Sequence, residues 1–137
     1  MSRQLIVGLA LSGVLLISAT AWLLSGSPCA NELLSELPSP DGTLKAVVFQ
    51  RDCGATTGFS TQVSIISGDQ SLGSGAANLF VADDDHGKVP AGVGGGPEVQ
   101  VAWTSARSVR IARDREARVF LAKPAIAGIS VEYIDLQ

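Results

Sequence analysis

Residues 5–24, LIVGLALSGVLLISATAWLL, contain no charged side chain. At helical rise these twenty residues just cross a hydrocarbon layer of about 30 Å, so the chain is predicted to begin with an apolar helix able to span a membrane. Arg3 and the amino terminus precede it, and the positive-inside bias puts that end in the cytoplasm and the remainder on the periplasmic side. Ala19-Thr20-Ala21 has the small-x-small pattern of a signal-peptide cleavage site. Cleavage there starts the mature chain at Trp22-Leu23-Leu24, whereas retention leaves Trp22 as an interfacial anchor at the outer end of the helix. Residues 1–24 are therefore expected to be a retained membrane anchor, with a cleaved signal peptide as the alternative. Lipidation of Cys29 is a third route, but Pro28 directly before it departs from the usual lipobox.

Beyond this segment about 110 residues remain, enough for one core. They carry nine basic against thirteen acidic side chains, because Arg3 is the one basic residue ahead of the apolar run. That balance argues against a nucleic-acid partner, which calls for a basic surface. Residues 25–38 are expected to be a linker, with one helical turn over NELLSEL (residues 31–37) stopped by Pro38. The domain proper is expected over residues 39–137. Ser39-Pro40-Asp41-Gly42 is a turn sequence: proline presets φ and glycine accepts the positive φ of a tight turn. Strands are predicted over residues 44–51, 59–66, 78–82, 99–104, 109–112, 118–122 and 129–136, separated by Gly, Pro, Ser or Asp clusters. Period-two alternation nominates a core of Val63, Ile65, Leu79, Val81, Val99, Val101, Trp103, Val109, Ile111, Val119, Leu121, Ile129, Val131 and Tyr133. No 3.6-residue pattern follows Leu37, so crossover helices are missing. The expected fold is mainly β: a small antiparallel meander sheet or sandwich after the N-terminal apolar helix.

SPDGTLKAVVFQ, followed later by VAWTSARSVRIA, resembles the strand-and-turn grammar of a β-propeller blade. The material covers hardly more than one or two blades, and a closed propeller needs several, so this likeness implies local turn chemistry on an open sheet or sandwich. CANELLSELPSPDGTLKAVVFQRDCGATTGFSTQVSI together with GGGPEVQVAW resembles a family of short bacterial envelope proteins marked by a CGATTGFSTQVSI-type motif. That resemblance covers most of the domain. It implies an envelope location and a Cys29/Cys53 pair, and it implies no activity.

Two cysteines in an exported domain more often pair than stay free, so a Cys29–Cys53 disulfide is expected, with a reactive or lipidated thiol as the alternatives. The string from Arg51 to Gly58 reads as a constrained loop between the first two strands. Its functional reading is a ligand loop in which Asp52, Thr56, Thr57 and backbone N–H groups receive a small molecule. Asp83-Asp84-Asp85-His86-Gly87 reads as a solvated acidic turn, with weak Ca²⁺ binding as the alternative; it lacks the alternate spacing and distant bidentate Glu of calcium loops, so no metal is assigned. Gly92-Val93-Gly94-Gly95-Gly96-Pro97 lacks the strand, helix and Lys context of a phosphate loop and reads as a flexible connection. The arginines Arg107, Arg110, Arg113, Arg115 and Arg118 fall on a predicted hairpin turning at residues 113–116. Arg110 and Arg118 are expected to share its outer face, either neutralised by Asp114, Glu116 and Glu132 or open to an anionic partner or lipid headgroups.

The sequence contains no nucleophile elbow, no H-E-x-x-H, no paired Cys or His at metal spacing, and one histidine. No cofactor is implied. The expected function is a noncatalytic binding or interaction module of the cell envelope, in contact with the membrane through residues 5–24 if uncleaved and with a possible envelope protein partner. The alternatives are a small carboxylate- or Cys-dependent enzyme and a structural accessory subunit.

Overall fold

The computed structural model describes residues 28–137; the apolar segment, and with it the anchor and signal-peptide readings, lies outside the described residues. Nine strands form two sheets: β1 (Ala30–Pro38), β2 (Leu44–Asp52), β3 (Ser60–Ser67), β4 (Phe80–Asp83), β5 (Val99–Ser105), β6 (Ser108–Arg113), β7 (Arg118–Ala122), β8 (Ala125–Ile126) and β9 (Ile129–Asp135). The first sheet has the order β1-β2-β3-β4-β7 and the second β5-β6-β9-β8. One apolar cluster, including Val48, Val63, Phe80, Val109, Ile111 and Ile129, draws on both sheets and forms the core between them. The protein is mainly β, as its alternating pattern predicts.

The SPDG turn forms as expected. Gly42 takes φ 71°, its N–H donates to the Ser39 carbonyl at 2.9 Å, and the Asp41 carboxylate accepts from Thr43 N–H and from both the Ser39 and Thr43 hydroxyls. These bonds hold the Asp41 carboxyl below its ordinary range, the Ser39 hydroxyl contributing most.

Residues 31–37 are a strand, not a helical turn in a linker. β1 pairs antiparallel with β2 from Ala30↔Asp52 to Pro38↔Lys45, with a bulge between Leu33 and Ser35. Leu34 and Leu37 pack on the core, and the Trp103 indole donates to the Leu37 carbonyl at 2.8 Å. The second departure from expectation is the connection after β6. No β6–β7 hairpin forms: β6 pairs antiparallel with β5 and parallel with β9, while β7 pairs with β4 in the other sheet. The turn at residues 114–117 therefore steps from one sheet to the other. Four residues span roughly 13 Å when extended, enough to cross the roughly 10 Å between packed sheets, so a hairpin and a sheet-to-sheet corner look alike in sequence.

The first sheet is buried on both faces along β2, where residues 45–50 are all buried. Val47 and Phe49 face away from the main core and pack with Ala77, Ile66, Leu72 and Val81 under the segment between β3 and β4. In β4 it is Phe80 and Ala82, with Leu79 ahead of them, that reach the main core, and Val81 faces the second cluster. Val119 of β7 remains 37% exposed and stands outside the core, because β7 is an edge strand broken by a bulge at Phe120. The polar groups beneath the covering segment are satisfied: Gln62 accepts from Ala77 N–H, and the Asn78 amide bonds both the N–H and the C=O of Ile65, imitating a strand neighbour.

All the sheet edges are blunted. β1, β5 and β7 each carry a register break, and β8 is two residues long. Such edges are poor templates for adding another strand.

Candidate functional cleft

The N-terminal end of β1, the C-terminal ends of β2 and β4, and the N-terminal ends of β3 and β7 meet at one pole of the first sheet. Three chain segments far apart in sequence are thereby brought together: the loop at residues 53–59, the acidic turn at residues 83–88 and the start of β7. Between them lies an open cleft of about 520 Å³ lined by Arg51, Cys53, Thr56, Thr57, Gly58, Ser60, Val81, Asp83, Asp84, His86, Arg118 and Phe120.

Cys29 and Cys53 are joined in a disulfide across the end of the β1–β2 ladder. Cys53 sulfur is committed there, so it offers no thiolate for a cysteine-dependent reaction. In the loop that follows, Asp52 accepts from Gly54 N–H at 2.9 Å, and Thr57 donates to the Gly54 carbonyl from both its N–H and its hydroxyl. Gly54 sits at φ 111°, a conformation that favours glycine. Asp52 therefore shapes the loop without lining the cleft, Thr57 does both, and the Thr56 hydroxyl, at the wall, makes no hydrogen bond with another described residue.

The acidic turn is built by its own carboxylates. Asp83 ends β4 and accepts from Asp85 N–H at 3.0 Å; Asp85, His86 and Gly87 follow at φ 48°, 61° and 83°. Lys88 closes the turn on the Asp85 carboxylate, and that hydrogen bond lowers the Asp85 carboxyl and raises the Lys88 amine. Arg118, opposite Asp83 in the ladder, grips it through two nitrogens, Nε to Oδ1 at 3.1 Å and Nη2 to Oδ2. Burial pushes the Asp83 carboxyl up, but the Arg118 fork and the Asp85 N–H outweigh it and hold it below its usual range. The third arginine nitrogen, Nη1, lies 3.3 Å from His86 Nε2 and 3.8 Å from Asp85 Oδ1. The guanidinium carbon stands 5.0 Å from the centre of the Phe120 ring. Asp84 makes no side-chain hydrogen bond or ion pair with another described residue, which leaves its carboxylate as a free acceptor. Asp83 and Asp85 are thus spent on cations, and among the described residues no three His, Cys, Asp or Glu side chains converge as metal ligands.

Arg51 forms the remaining cationic wall. Its Nη1 donates to Asn31 Oδ1 at 2.7 Å and to the Ser74 carbonyl at 2.8 Å, while the Asn31 amide donates to the carbonyls of Gly73 and Gly75. This clamp fixes the covering segment against β1 and β2.

The expectation that Arg110 and Arg118 share one face is corrected by the topology. Arg110 lies on the outer face of the second sheet, where its Nε donates to Glu132 at 2.7 Å; Arg118 lies on the first sheet in the cleft. The glycine-rich string is also not a loose connection. A Cβ on Gly94 would meet Gln50 Oε1 at 2.9 Å, one on Gly95 the Phe59 ring at 2.8 Å, and one on Gly96 Thr61 Oγ1 at 2.7 Å. Glycine is what lets this backbone close over the sheet, where the Thr61 hydroxyl donates to the Pro97 carbonyl at 2.6 Å. Phe120 and Ser60 are cleft residues that the sequence reading passed over. The available signal was Arg118-x-Phe120, two residues that share a face on any regular strand.

The fold and cleft define a disulfide-bonded two-sheet β domain with an open cleft at one pole. No protein-family model, no curated protein and no solved structure matches this chain.

Proposed function

We propose that the chain is a membrane-tethered domain on the periplasmic side of the cell envelope, that it binds rather than catalyses, and that the open cleft is its ligand site. The carrying observation is the convergence of three sequence-distant segments on one cleft whose walls bring the Asp84 carboxylate and the Thr56 hydroxyl, neither hydrogen-bonded to another described residue, beside the Arg51 and Arg118 guanidiniums. A rigid frame supports them: the disulfide on one side and the Asp83–Arg118 fork on the other. The disulfide favours an oxidising compartment, and the charge-free residues 5–24 after Arg3 favour a tether with the domain outside the cytoplasm.

Two measurements test the reading. Alkaline phosphatase fused after Gln137 is expected to be active, and inactivity with a bright cytoplasmic reporter at the same site overturns the topology. A photo-crosslinking residue in place of Thr56 is expected to trap an adduct in intact cells, while one in place of Ser130, on the outer face of the second sheet, does not. Equal trapping at both positions, or none at Thr56, removes the cleft as ligand site.

A further inference from the structure

We infer that the cleft-bearing pole lies on the bilayer surface and that the cleft takes the headgroup of a zwitterionic aminophospholipid, a primary ammonium two carbons from a phosphodiester. The inference rests on the reading of the cleft as a ligand site and names its ligand.

Reach is the first argument. Leu24 ends the apolar run and Cys29 follows five residues later, a span of at most about 18 Å even when fully extended. Cys29 is bonded to Cys53, itself part of the cleft wall. A retained tether therefore keeps the cleft close to the headgroup layer, which is roughly 5–8 Å deep on each side of the hydrocarbon.

The distribution of exposed apolar side chains points the same way. Among the described residues Leu33, Phe59, Val93, Val119, Phe120 and Ile134 are exposed; Leu33 lies within β1, and strand directions place the other five at or next to this pole: Phe59 before β3, Val93 in the glycine segment closing over Phe59, Val119 and Phe120 near the start of β7, and Ile134 near the end of β9. None of the exposed large hydrophobic residues lies on the turns of the opposite pole, at residues 39–43, 105–107 or 123–128. Apolar side chains gathered at the end from which a membrane tether departs suit the interface between headgroups and acyl chains.

Charge selects the headgroup. A purely anionic group entering the cleft meets the free Asp84 carboxylate, and a purely cationic one meets Arg51 and Arg118. A zwitterion satisfies both signs: its ammonium donates to Asp84, and its phosphodiester accepts from the Thr56 hydroxyl beside the positive charge of Arg51 and Arg118. A quaternary ammonium has no N–H to donate, so choline headgroups lose that half of the recognition. The tether makes a weak site sufficient, since it holds cleft and headgroups at high effective concentration.

The test uses the full chain in three nanodiscs: phosphatidylcholine alone, phosphatidylcholine with phosphatidylethanolamine, and phosphatidylcholine with phosphatidylglycerol. Hydrogen–deuterium exchange is followed over residues 53–58 and 83–88. Slower exchange is expected with phosphatidylethanolamine alone, and Asp84→Asn is expected to weaken that preference by about tenfold, the size of one lost charge-assisted bond. A Val93→Ser variant, altered on the exposed pole and outside the cleft lining, is expected to reduce protection while keeping the headgroup preference. Equal protection in all three bilayers overturns headgroup recognition. Absence of protection in any bilayer, with adducts still trapped at position 56 in cells, overturns the lipid ligand and leaves the cleft as a site for something else; absence of both removes the two readings together.

Discussion

Replacing both Cys29 and Cys53 with Ser removes the disulfide that cross-links the start of β1 to the end of β2. The two cysteines are 24 residues apart, and closing a loop of that length restricts the unfolded chain by about 3.5 kcal/mol in the chain-entropy model. That is a quarter to a half or more of the roughly 5–15 kcal/mol by which domains of this size are stable. What remains to hold β1 is its ladder with β2, the packing of Leu34 and Leu37, the hydrogen bond from Trp103 to Leu37, the Asn31 bonds to Arg51, Gly73 and Gly75, and the Glu36–Lys45 ion pair. Trp103 is thus a built-in reporter of β1 docking, usable once Trp22 is replaced by Phe. Urea unfolding of the full chain in detergent, followed by Trp103 emission, is expected to show a midpoint lowered by roughly 1 to 3 M. A double-Ser variant within about 1 kcal/mol of its parent refutes the reasoning, because the constraint on the unfolded chain cannot be escaped if the bond is present in the folded one.

Two further outcomes are expected. Gly96→Ala, whose Cβ would press on Thr61 Oγ1 and on the Thr61 and Ser60 backbone, should cost about 1 to 3 kcal/mol as an overpacked site; Gly75→Ala, with open space around it, should change the thermal midpoint little, and equal effects would restore the flexible-connection reading. Tyr133, the one tyrosine of the chain, has its phenol pushed up by burial to about 12. Its neutral form is therefore favoured by folding, so its contribution to stability is complete below the unfolded value of about 10 and is lost as pH rises from there through about 12. Phenolate absorbance rising near pH 10 in the folded protein would show the ring is not buried as described.

How far the fold was legible depended on whether a strand had one buried face or two. β5, β6 and β9 follow their alternation: Val99, Val101, Trp103, Val109, Ile111, Ile129, Val131 and Tyr133 all reach the core between the sheets. β2 hides its period because the segment between β3 and β4 covers its second face, leaving residues 45–50 uniformly buried. β1 was misread for a more specific reason. Leu34 and Leu37 stand three apart, a helical spacing, and on a regular strand they would face opposite ways. The bulge between Leu33 and Ser35 inserts the extra residue that turns both toward the core. Three residues of apolar spacing can thus mean a helix or a bulged edge strand, and only the pairing with β2 decides.

The cleft was legible in its parts and illegible as a whole. The disulfide, the Thr56–Thr57 loop, the acidic turn and Arg118 each stood out by residue type, yet their meeting depends on β7 leaving the second sheet to pair with β4, which places Arg118 opposite Asp83. Had β6 and β7 formed the hairpin that the turn suggests, Arg118 would lie in the second sheet with Arg110, and the acidic turn would be left without its principal cation. The same crossing makes β7 an edge, and its bulge at Phe120 keeps that edge from recruiting another strand while leaving the ring 61% exposed beside the cleft. One topological choice therefore supplies the cleft with its arginine, its aromatic and its access, and it withdraws the neighbouring backbone as a competing surface. On the proposed reading, a ligand at this pole meets side chains, among them Asp84, Thr56 and Arg118.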